Sequence, residues 1–232
     1  MALGMAEHGA NIAIVDIDQE TAEDAAHEIE GLGVKSLALQ ADITDEDQAF
    51  RAIGAVTDQW KTLDILLNNA GMAVIGPAED MSLADFKSVY DLDVFAMFTC
   101  SKAAFRPMAE QKRGNVINIA SMCGMTVLVP QEHATYNSAK AAVIMLTKSL
   151  AVEWAPFNIR VNAMCPGYMV TPPVVQLQKD DPDRWNFWMS KVPMGRAGQP
   201  EELKGTVVYL ASEASAYMTG SAIVIDGGHT CM

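Results

Sequence analysis

Tyr136 and Lys140 stand four residues apart in a stretch that predicts a helix, and this spacing places both side chains on one helix face, about 6 Å apart along the axis. Taken alone, such a pair is more typical of a helix surface than of an active site. Ser121 ends a predicted strand just before this helix and adds a hydroxyl. A phenol, with a pKa of roughly 10, exchanges protons poorly at neutral pH unless a neighbouring ammonium favours the phenolate. The three residues together predict a proton-transfer site, with Tyr136 as the acid/base and Ser121 orienting a substrate oxygen.

Other small and polar residues directly follow predicted strands. They are Asp16, Asp42, Asn68, Asn69, Ala70, Gly71, Ser121, Gly124, Pro166 and Gly167. In an open parallel sheet, ligands bind at the carboxyl ends of the strands, so the set predicts a binding edge. For any single member, ordinary turn chemistry is the more common explanation, because Asp, Asn, Gly and Pro all end strands.

These residues are positioned by a regular alternation of short apolar runs with amphipathic stretches. The predicted strands span residues 11–15, 34–40, 63–67, 115–120, 159–163 and 222–225, and the predicted helices span residues 19–31, 45–60, 82–107, 134–154 and 200–212. Residues 164–200 carry most of the prolines and predict a long loop with a short helix. The alternation indicates an α/β fold, a doubly wound parallel sheet in a single domain over residues 1–232.

Composition excludes several classes of protein. Of the 232 residues, 50% are hydrophobic and 19% are charged, which is too apolar for a disordered chain. The net charge of −13 argues against a nucleic-acid partner or an anionic membrane surface. No apolar run is long enough to span a membrane. The four cysteines are too far apart in sequence for a metal knuckle and are typical of free thiols in a reducing cytoplasm.

The ordered motifs resemble the short-chain dehydrogenase/reductase family over nearly the whole chain. They are NNAG at 68–71, NIASMCG at 118–124, YNSAK at 136–140, VNAMCPGYMVT at 161–171, MGRAGQPEEL at 194–203 and IVIDGG at 223–228. The resemblance implies a Rossmann-type fold and hydride transfer between a nicotinamide cofactor and an alcohol or carbonyl. It makes Tyr136 the catalytic acid/base, Lys140 the residue that binds the nicotinamide ribose, and Ser121 the residue that positions the carbonyl. Cys123 is an alternative to Ser121 but a poorer hydrogen-bond donor.

The cofactor implied is NAD. Asp16 ends the ribose-binding strand, where a carboxylate accepts hydrogen bonds from the adenosine 2′-hydroxyl and repels a 2′-phosphate, so NADP is disfavoured. By resemblance, Asp42 and Ile43 lie beside the adenine, and Asn69, Ala70 and Gly71 line the cofactor. The remaining implied contacts, to the nicotinamide amide, are Pro166, Gly167 and Thr171.

The first departure from the family pattern is Asp93, in YDLDVFAMF, where the family usually has asparagine. The asparagine completes a proton relay through water to the lysine. An ionised carboxylate accepts hydrogen bonds but donates none, and it adds a negative charge near Lys140. We therefore include Asp93 among the predicted catalytic residues. The aspartate either alters the activity or is tolerated without consequence, and the sequence leaves both alternatives open.

The second departure lies at the start of the chain. The dinucleotide fingerprint places a glycine-rich turn about 20 residues before the ribose-binding acid, and counting back from Asp16 passes Met1. Residues 1–10 match the latter half of the family's first helix, so we expect an incomplete first βα unit, either from an internal start methionine or as a genuine short form. The predicted strands at 11–15 and 63–67 then either pair directly or leave a slot in the core.

The segment from Gly124 to Tyr136 resembles that of sugar-alcohol dehydrogenases and ketose reductases. We therefore expect an NAD-linked oxidoreductase acting on a small-molecule secondary alcohol or ketone; the alternative is a catalytically impaired homologue that serves as a binding or assembly scaffold. In the substrate loop, about 168–198, Trp185, Phe187 and Trp188 either cover a substrate or pack the loop. Family members usually associate through two long helices, here near 82–107 and 134–156, which implies a homotetramer or homodimer.

Overall fold

Six strands form two parallel sheets in the computed structural model, which describes residues 1–232 apart from the side chain of Pro173. The strands are β1 (Ile12–Asp16), β2 (Ser36–Gln40), β3 (Ile65–Asn68), β4 (Gly114–Ile119), β5 (Ile159–Pro166) and β6 (Ala222–Ile225). β1 pairs with β2, and the other four pair in the order β3-β4-β5-β6. The predicted α/β architecture with parallel strands is confirmed.

Nine α-helices connect and cover the strands. They are α1 (Ala2–Ala6), α2 (Gln19–Glu30), α3 (Glu46–Trp60), α4 (Leu83–Tyr90), α5 (Met97–Glu110), α6 (Ala134–Trp154), α7 (Pro172–Asp180), α8 (Pro182–Ser190) and α9 (Lys204–Ala211). Asp18, Asp45 and Ser82 cap α2, α3 and α4 by accepting a backbone amide from the first turn. The helix predicted at 82–107 is one continuous rod, but Asp91–Ala96 between α4 and α5 is wound as a π-helix.

A gap separates the two sheets, because no backbone hydrogen bond joins β1 to β3 in the described chain. Of the two arrangements expected from the sequence, the structure therefore has the open slot. Both strands still contribute to one apolar cluster, in which Ile14, Ile65 and Leu67 pack against the buried Ile117. Side-chain packing thus holds the sheets side by side where backbone pairing is lacking.

The strands on either side of the gap are less buried than the strands in the middle of the larger sheet. Val116, Ile117 and Val161 of β4 and β5 are fully buried, as expected for strands with a neighbour on each side and helices above and below. β1 and β3 are mostly half-buried. The best-packed part of the core lies under β4, which precedes Ser121, and β5, which ends at Pro166.

The prediction of a loop with one short helix at 164–200 was wrong, because the segment contains two helices, α7 and α8. Proline often indicates a loop, but Pro172 and Pro182 occupy the first positions of these helices. The amide that proline lacks has no hydrogen-bond partner within the helix at that position, so the helix is not weakened. Asp181 then caps α8 by accepting the amide of Arg184 at 3.0 Å. The strand predicted at 159–163 also extends to Pro166, because its last residues pair with β6.

Candidate active site

The predicted site residues lie along the carboxyl edge of the strands. Asp16 and Pro166 are the last residues of β1 and β5, and Ser121 follows β4 by two residues. Asn69, Ala70 and Gly71 directly follow β3 and are exposed. Because the strands within each sheet are parallel, Asp16 lies at the carboxyl edge of the β1–β2 sheet, and the other positions share the carboxyl edge of the four-stranded sheet.

Asp16, at the end of β1, and Asp42, shortly after β2, each have a carboxylate held by hydrogen bonds to nearby residues. Asp16 Oδ1 accepts the amide of Asp18 at 3.0 Å. Asp42 Oδ1 accepts the amide and the hydroxyl of Thr44 at 2.9 and 2.6 Å, and Ile43 beside it is half-buried. At the other end of the edge, Thr171 precedes the first turn of α7.

Tyr136 lies in the first turn of α6, with its ring among apolar and sulfur-bearing groups. It packs in a cluster with Met122, Cys123 and Tyr168. Burial raises the pKa of Tyr136 to about 12, an effect that the hydroxyl of Ser121 opposes as a hydrogen-bond partner. Ser121 is therefore beside the phenol, as the sequence predicted, and its Oγ also accepts the amide of Cys123 at 3.1 Å. The phenol is consequently protonated at neutral pH in the isolated chain.

Lys140 is held on both sides by buried acceptors. Its Nζ donates to the carbonyl of Ile119 at 3.0 Å and lies 3.0 Å from Asp93 Oδ2. The side chains of Lys140 and Asp93 are 3% and 0% exposed. The same Nζ is 5.5 Å from the ring centroid of Tyr136. The structure thus brings Ser121, Tyr136, Lys140 and Asp93 together.

Gly71 completes this arrangement through its lack of a side chain. A Cβ there would lie 3.2 Å from both Asp93 Oδ1 and Lys140 Nζ, closer than ordinary contacts allow. Asp93 Oδ1 also accepts the amide of Met72 at 2.8 Å. Gly167 is more tightly restricted, since a Cβ there would lie 2.7 Å from the backbone Cα of Asp226.

A buried polar network that sequence reasoning missed ties the elements of the site together. The Asn68 amide donates to Ser101 Oγ at 3.0 Å and to Asn118 Oδ1 at 2.8 Å, and Asn118 donates to Thr147 Oγ1 at 2.9 Å. The network links β3, β4, α5 and α6. The signal available in the sequence was the presence of asparagines in otherwise apolar strands, one in β3 and two in β4.

A cavity of about 660 Å³ opens beside the site rather than over the phenol. Its lining includes Cys123, Gly124, His133 and Asn137 but neither Tyr136 nor Ser121. His133 is half-buried, and its ring centroid is 6.0 Å from that of Tyr136. Burial lowers the pKa of His133.

The aromatic residues of the substrate loop differ in burial. Trp185 and Trp188 are buried and pack the loop, with Trp188 stacked on Tyr168 at a centroid distance of 5.0 Å. Phe187 is exposed, and the Lys191 ammonium lies 5.0 Å from its ring centroid.

Comparison with known proteins identifies the family. The family model described as enoyl-(acyl carrier protein) reductase matches residues 1–230. The chain is 38% identical to a sorbose reductase of Candida albicans, over 100% of this chain and 82% of that protein. It is also 38% identical to a galactitol 2-dehydrogenase of Rhizobium johnstonii, over 98% of this chain and 88% of that protein.

The fold agrees with that of solved relatives. A short-chain type dehydrogenase/reductase from Mycobacterium marinum superposes with a TM-score of 0.93 at 40% identity, covering 100% of this chain and 90% of that one. The chain belongs to the short-chain dehydrogenase/reductase family. It is an oxidoreductase, and the cofactors of its family are nicotinamide nucleotides.

Solved relatives carry either form of the cofactor. An NAD⁺-bound xylitol dehydrogenase is 33% identical, with a TM-score of 0.92 over 98% of this chain and 92% of that one. A Burkholderia cenocepacia gluconate 5-dehydrogenase in complex with NADP and tartrate is 31% identical, with a TM-score of 0.91 over 100% of this chain and 90% of that one. Family membership therefore leaves open which of the two this chain uses.

Lys140 and Gly71 are both suited to a bound nicotinamide nucleotide. Lys140 donates a hydrogen bond to Ile119 and pairs with Asp93 by charge, so its ammonium keeps at least one N–H donor for a ribose hydroxyl. Gly71 leaves the space beside that ammonium clear of side chains. Among the helices that the structure describes, none combines the length and apolar character needed to cross a membrane.

Proposed function

We propose that this chain interconverts a secondary alcohol and a ketone on a polyol or its ketose, with NAD as the hydride carrier. The observation that carries the proposal is the convergence of Ser121, Tyr136 and Lys140 at the carboxyl edge of the sheet. A polyol substrate is supported by similarity to a sorbose reductase and a galactitol 2-dehydrogenase.

Each residue has a defined part in the proton transfer. In the oxidation direction the Tyr136 phenolate accepts the substrate hydroxyl proton, and in reduction the phenol returns it. The Ser121 hydroxyl donates a hydrogen bond to the same substrate oxygen. Lys140 binds the ribose and favours the phenolate by its charge. When bound beside these residues, an oxidised nicotinamide would supply a hydride acceptor, so that the hydride and its two electrons leave the alcohol for the cofactor while the proton goes to Tyr136.

A preference for NAD over NADP is supported by Asp16. Its carboxylate ends β1, where the second oxygen is available to a ribose hydroxyl and repels a 2′-phosphate. Asp42, Ile43, Asn69, Ala70, Pro166, Gly167 and Thr171 complete the proposed cofactor contacts. Titration with NADH and NADPH in parallel tests this, and Asp16→Ala should narrow the difference in affinity between them. Equal affinities in the unaltered chain would contradict the assignment.

Turnover of galactitol and sorbose with the matching nicotinamide, followed by cofactor absorbance, tests the reaction. We expect Tyr136→Phe to lower kcat by about 10²–10⁴-fold, the usual contribution of a general acid/base. Tyr217→Phe is the matched control, because Tyr217 is fully exposed and lies on the short turn before β6. Unchanged turnover in Tyr136→Phe would refute the assigned role.

The unpaired edges of β1 and β3 favour a second candidate, a catalytically silent homologue that serves as a scaffold. The cofactor titration separates the two. Binding of NADH supports the enzyme, and failure to bind NADH at millimolar concentration favours the scaffold.

The proposed partner is a second copy of this chain. The exposed face of α6 carries Ala141, Met145, Ser149 and Val152 at helical spacing, and Phe98 is exposed on α5. An apolar face on these two helices supports association as a homodimer or homotetramer in the cytoplasm. Met145→Glu should shift light scattering toward smaller species, whereas Leu32→Glu, at an exposed apolar site after α2, should not.

A further inference from the structure

Asp93 and Lys140 form a buried ion pair directly beside Tyr136. Building on the proton transfer assigned to Tyr136 above, we propose that Asp93 offsets the charge of Lys140 and thereby sets the pH range in which Tyr136 exchanges its proton. Asp93 is then a positioning residue, because it acts on the phenol through Lys140 and not by contact with the substrate.

The geometry fixes the carboxylate against the ammonium. Asp93 Oδ2 lies 3.0 Å from Lys140 Nζ, and Oδ1 accepts the Met72 amide at 2.8 Å. The π-helical turn at Asp91–Ala96 places Asp93 on the inner face of the α4–α5 rod, where it is fully buried. With water excluded, the pair is weakly screened, so the effect of each charge on its neighbours persists.

Several other titratable groups face the phenol. Cys123, on the turn after β4, and Tyr168, after β5, pack against Tyr136, and burial raises the pKa of both. When ionised, the Cys123 thiol also raises the pKa of Tyr136. His133, which precedes α6, is neutral at alkaline pH because burial lowers its pKa. Among the described residues around the ring, Lys140 and Asp93 form the buried ion pair of opposite charges.

The expected direction follows from charge alone. Lys140 Nζ lies 5.5 Å from the Tyr136 ring centroid, within the range at which an uncompensated cation stabilises the phenolate. Asp93 opposes that effect. The pKa of Tyr136 stands at about 12, raised first by burial and then by the charges of Cys123 and Asp93. An amide in place of the carboxylate keeps the shape and the acceptor for Met72 but removes the charge.

The test is a pH titration of the chain labelled with ¹³Cζ-tyrosine, read by NMR without cofactor or substrate. The chain has five tyrosines, and Tyr136→Phe assigns the resonance of interest. We expect Asp93→Asn to lower the Tyr136 midpoint by about 1–3 pH units, and Asp93→Ser to lower it in the same direction. Asp91→Asn is the matched control, since Asp91 lies on the same π-helical turn but pairs with Lys87 at the surface. It should leave the midpoint unchanged.

Activity supplies a second readout. The acid limb of the kcat profile for alcohol oxidation should move to lower pH in Asp93→Asn by the amount that the NMR midpoint moves. An unchanged Tyr136 midpoint in folded Asp93→Asn would overturn the proposal, as would a wild-type midpoint below about 10, the value of free tyrosine. Because the NMR titration needs no turnover, absence of alcohol oxidation would count against the proposed function and not against this inference.

Discussion

At the scale of single residues, the site depends on close contacts that leave little room for an added side chain. Gly71 is the clearest case, because nothing about its backbone conformation requires glycine and the restriction comes from the ion pair beside it. The sequence motif identified Gly71 as a cofactor-lining residue. That it also faces Asp93 and Lys140 required the tertiary structure.

We expect Gly71→Ala to lower the free energy of unfolding by about 1–2 kcal/mol, because the added Cβ must displace Asp93 or Lys140. Gly76→Ala is the matched control, since a Cβ at Gly76 has no heavy atom within 4 Å. That variant should be neutral or slightly stabilising, because alanine restricts the unfolded chain. Urea unfolding of both variants measures the difference. Equal stability in the two would show that the pair moves aside without cost.

At the scale of elements, the polar network through Asn68 and Asn118 holds the strands and helices that carry the site. Its members join β3 and β4 to α5 and α6, and thereby fix where the Lys140 side chain meets Ile119 at the end of β4. A fully satisfied buried network of this kind specifies one arrangement of its elements.

Asn118→Ala should lower the free energy of unfolding by about 2 kcal/mol, because it removes hydrogen-bond partners of Asn68 and Thr147 from a fully buried site. Asn186→Ala provides the comparison, because Asn186 is exposed on α8. Denaturant unfolding should show a change within a few tenths of a kcal/mol for the control. A loss of similar size in both variants would contradict the role assigned to the network.

The gap beside β1 gives a second expectation at this scale. The Ile12 amide donates to the Lys35 carbonyl at 3.0 Å, and the Asp16 carbonyl accepts the Ala41 amide at 2.9 Å, so the even-numbered residues of β1 pair with β2. Since a strand alternates its amides, those of Ala13 and Val15 point toward the gap. Hydrogen exchange followed by NMR should be fast at Ala13 and Val15 and slow at Ile14. Equal protection of all three would show that the gap is closed in solution.

At the scale of the whole molecule, the buried thiols couple stability to alkaline pH. Burial raises the pKa of Cys100 and of Cys165 to about 11 each. The folded chain therefore holds these protons more tightly than the unfolded chain does, and the associated stability is complete below about pH 9 and lost as the pH rises toward 11.

We expect the free energy of unfolding to fall over that range by on the order of 2 kcal/mol for each thiol. The double variant Cys100→Ala/Cys165→Ala should be less stable at neutral pH but should show a shallower decline between pH 9 and 11. Cys231→Ser is the control, because Cys231 is exposed. An equally steep decline in the double variant would assign the pH dependence to other groups.

The sequence by itself determined the α/β class, the order of the elements and the identity of the residues at the carboxyl edge of the strands. These features follow from local periodicity and from residue types, both of which depend only on residues close together in sequence. The sequence did not determine the two helices within 164–200. Proline is common both in turns and at the first position of a helix, so the residue type alone does not distinguish the two.

Tertiary structure decided the separation of β1 from β3, the π-helical turn under Asp93 and the contact between Asp93 and Lys140. Each brings together residues distant in sequence; Asp93 and Lys140 are 47 positions apart, the difference of their residue numbers. The charge state around Tyr136 depends on that contact and on burial, both properties of the packed molecule. The residues available for proton transfer are thus given by sequence, while the pH at which they work is a consequence of the fold.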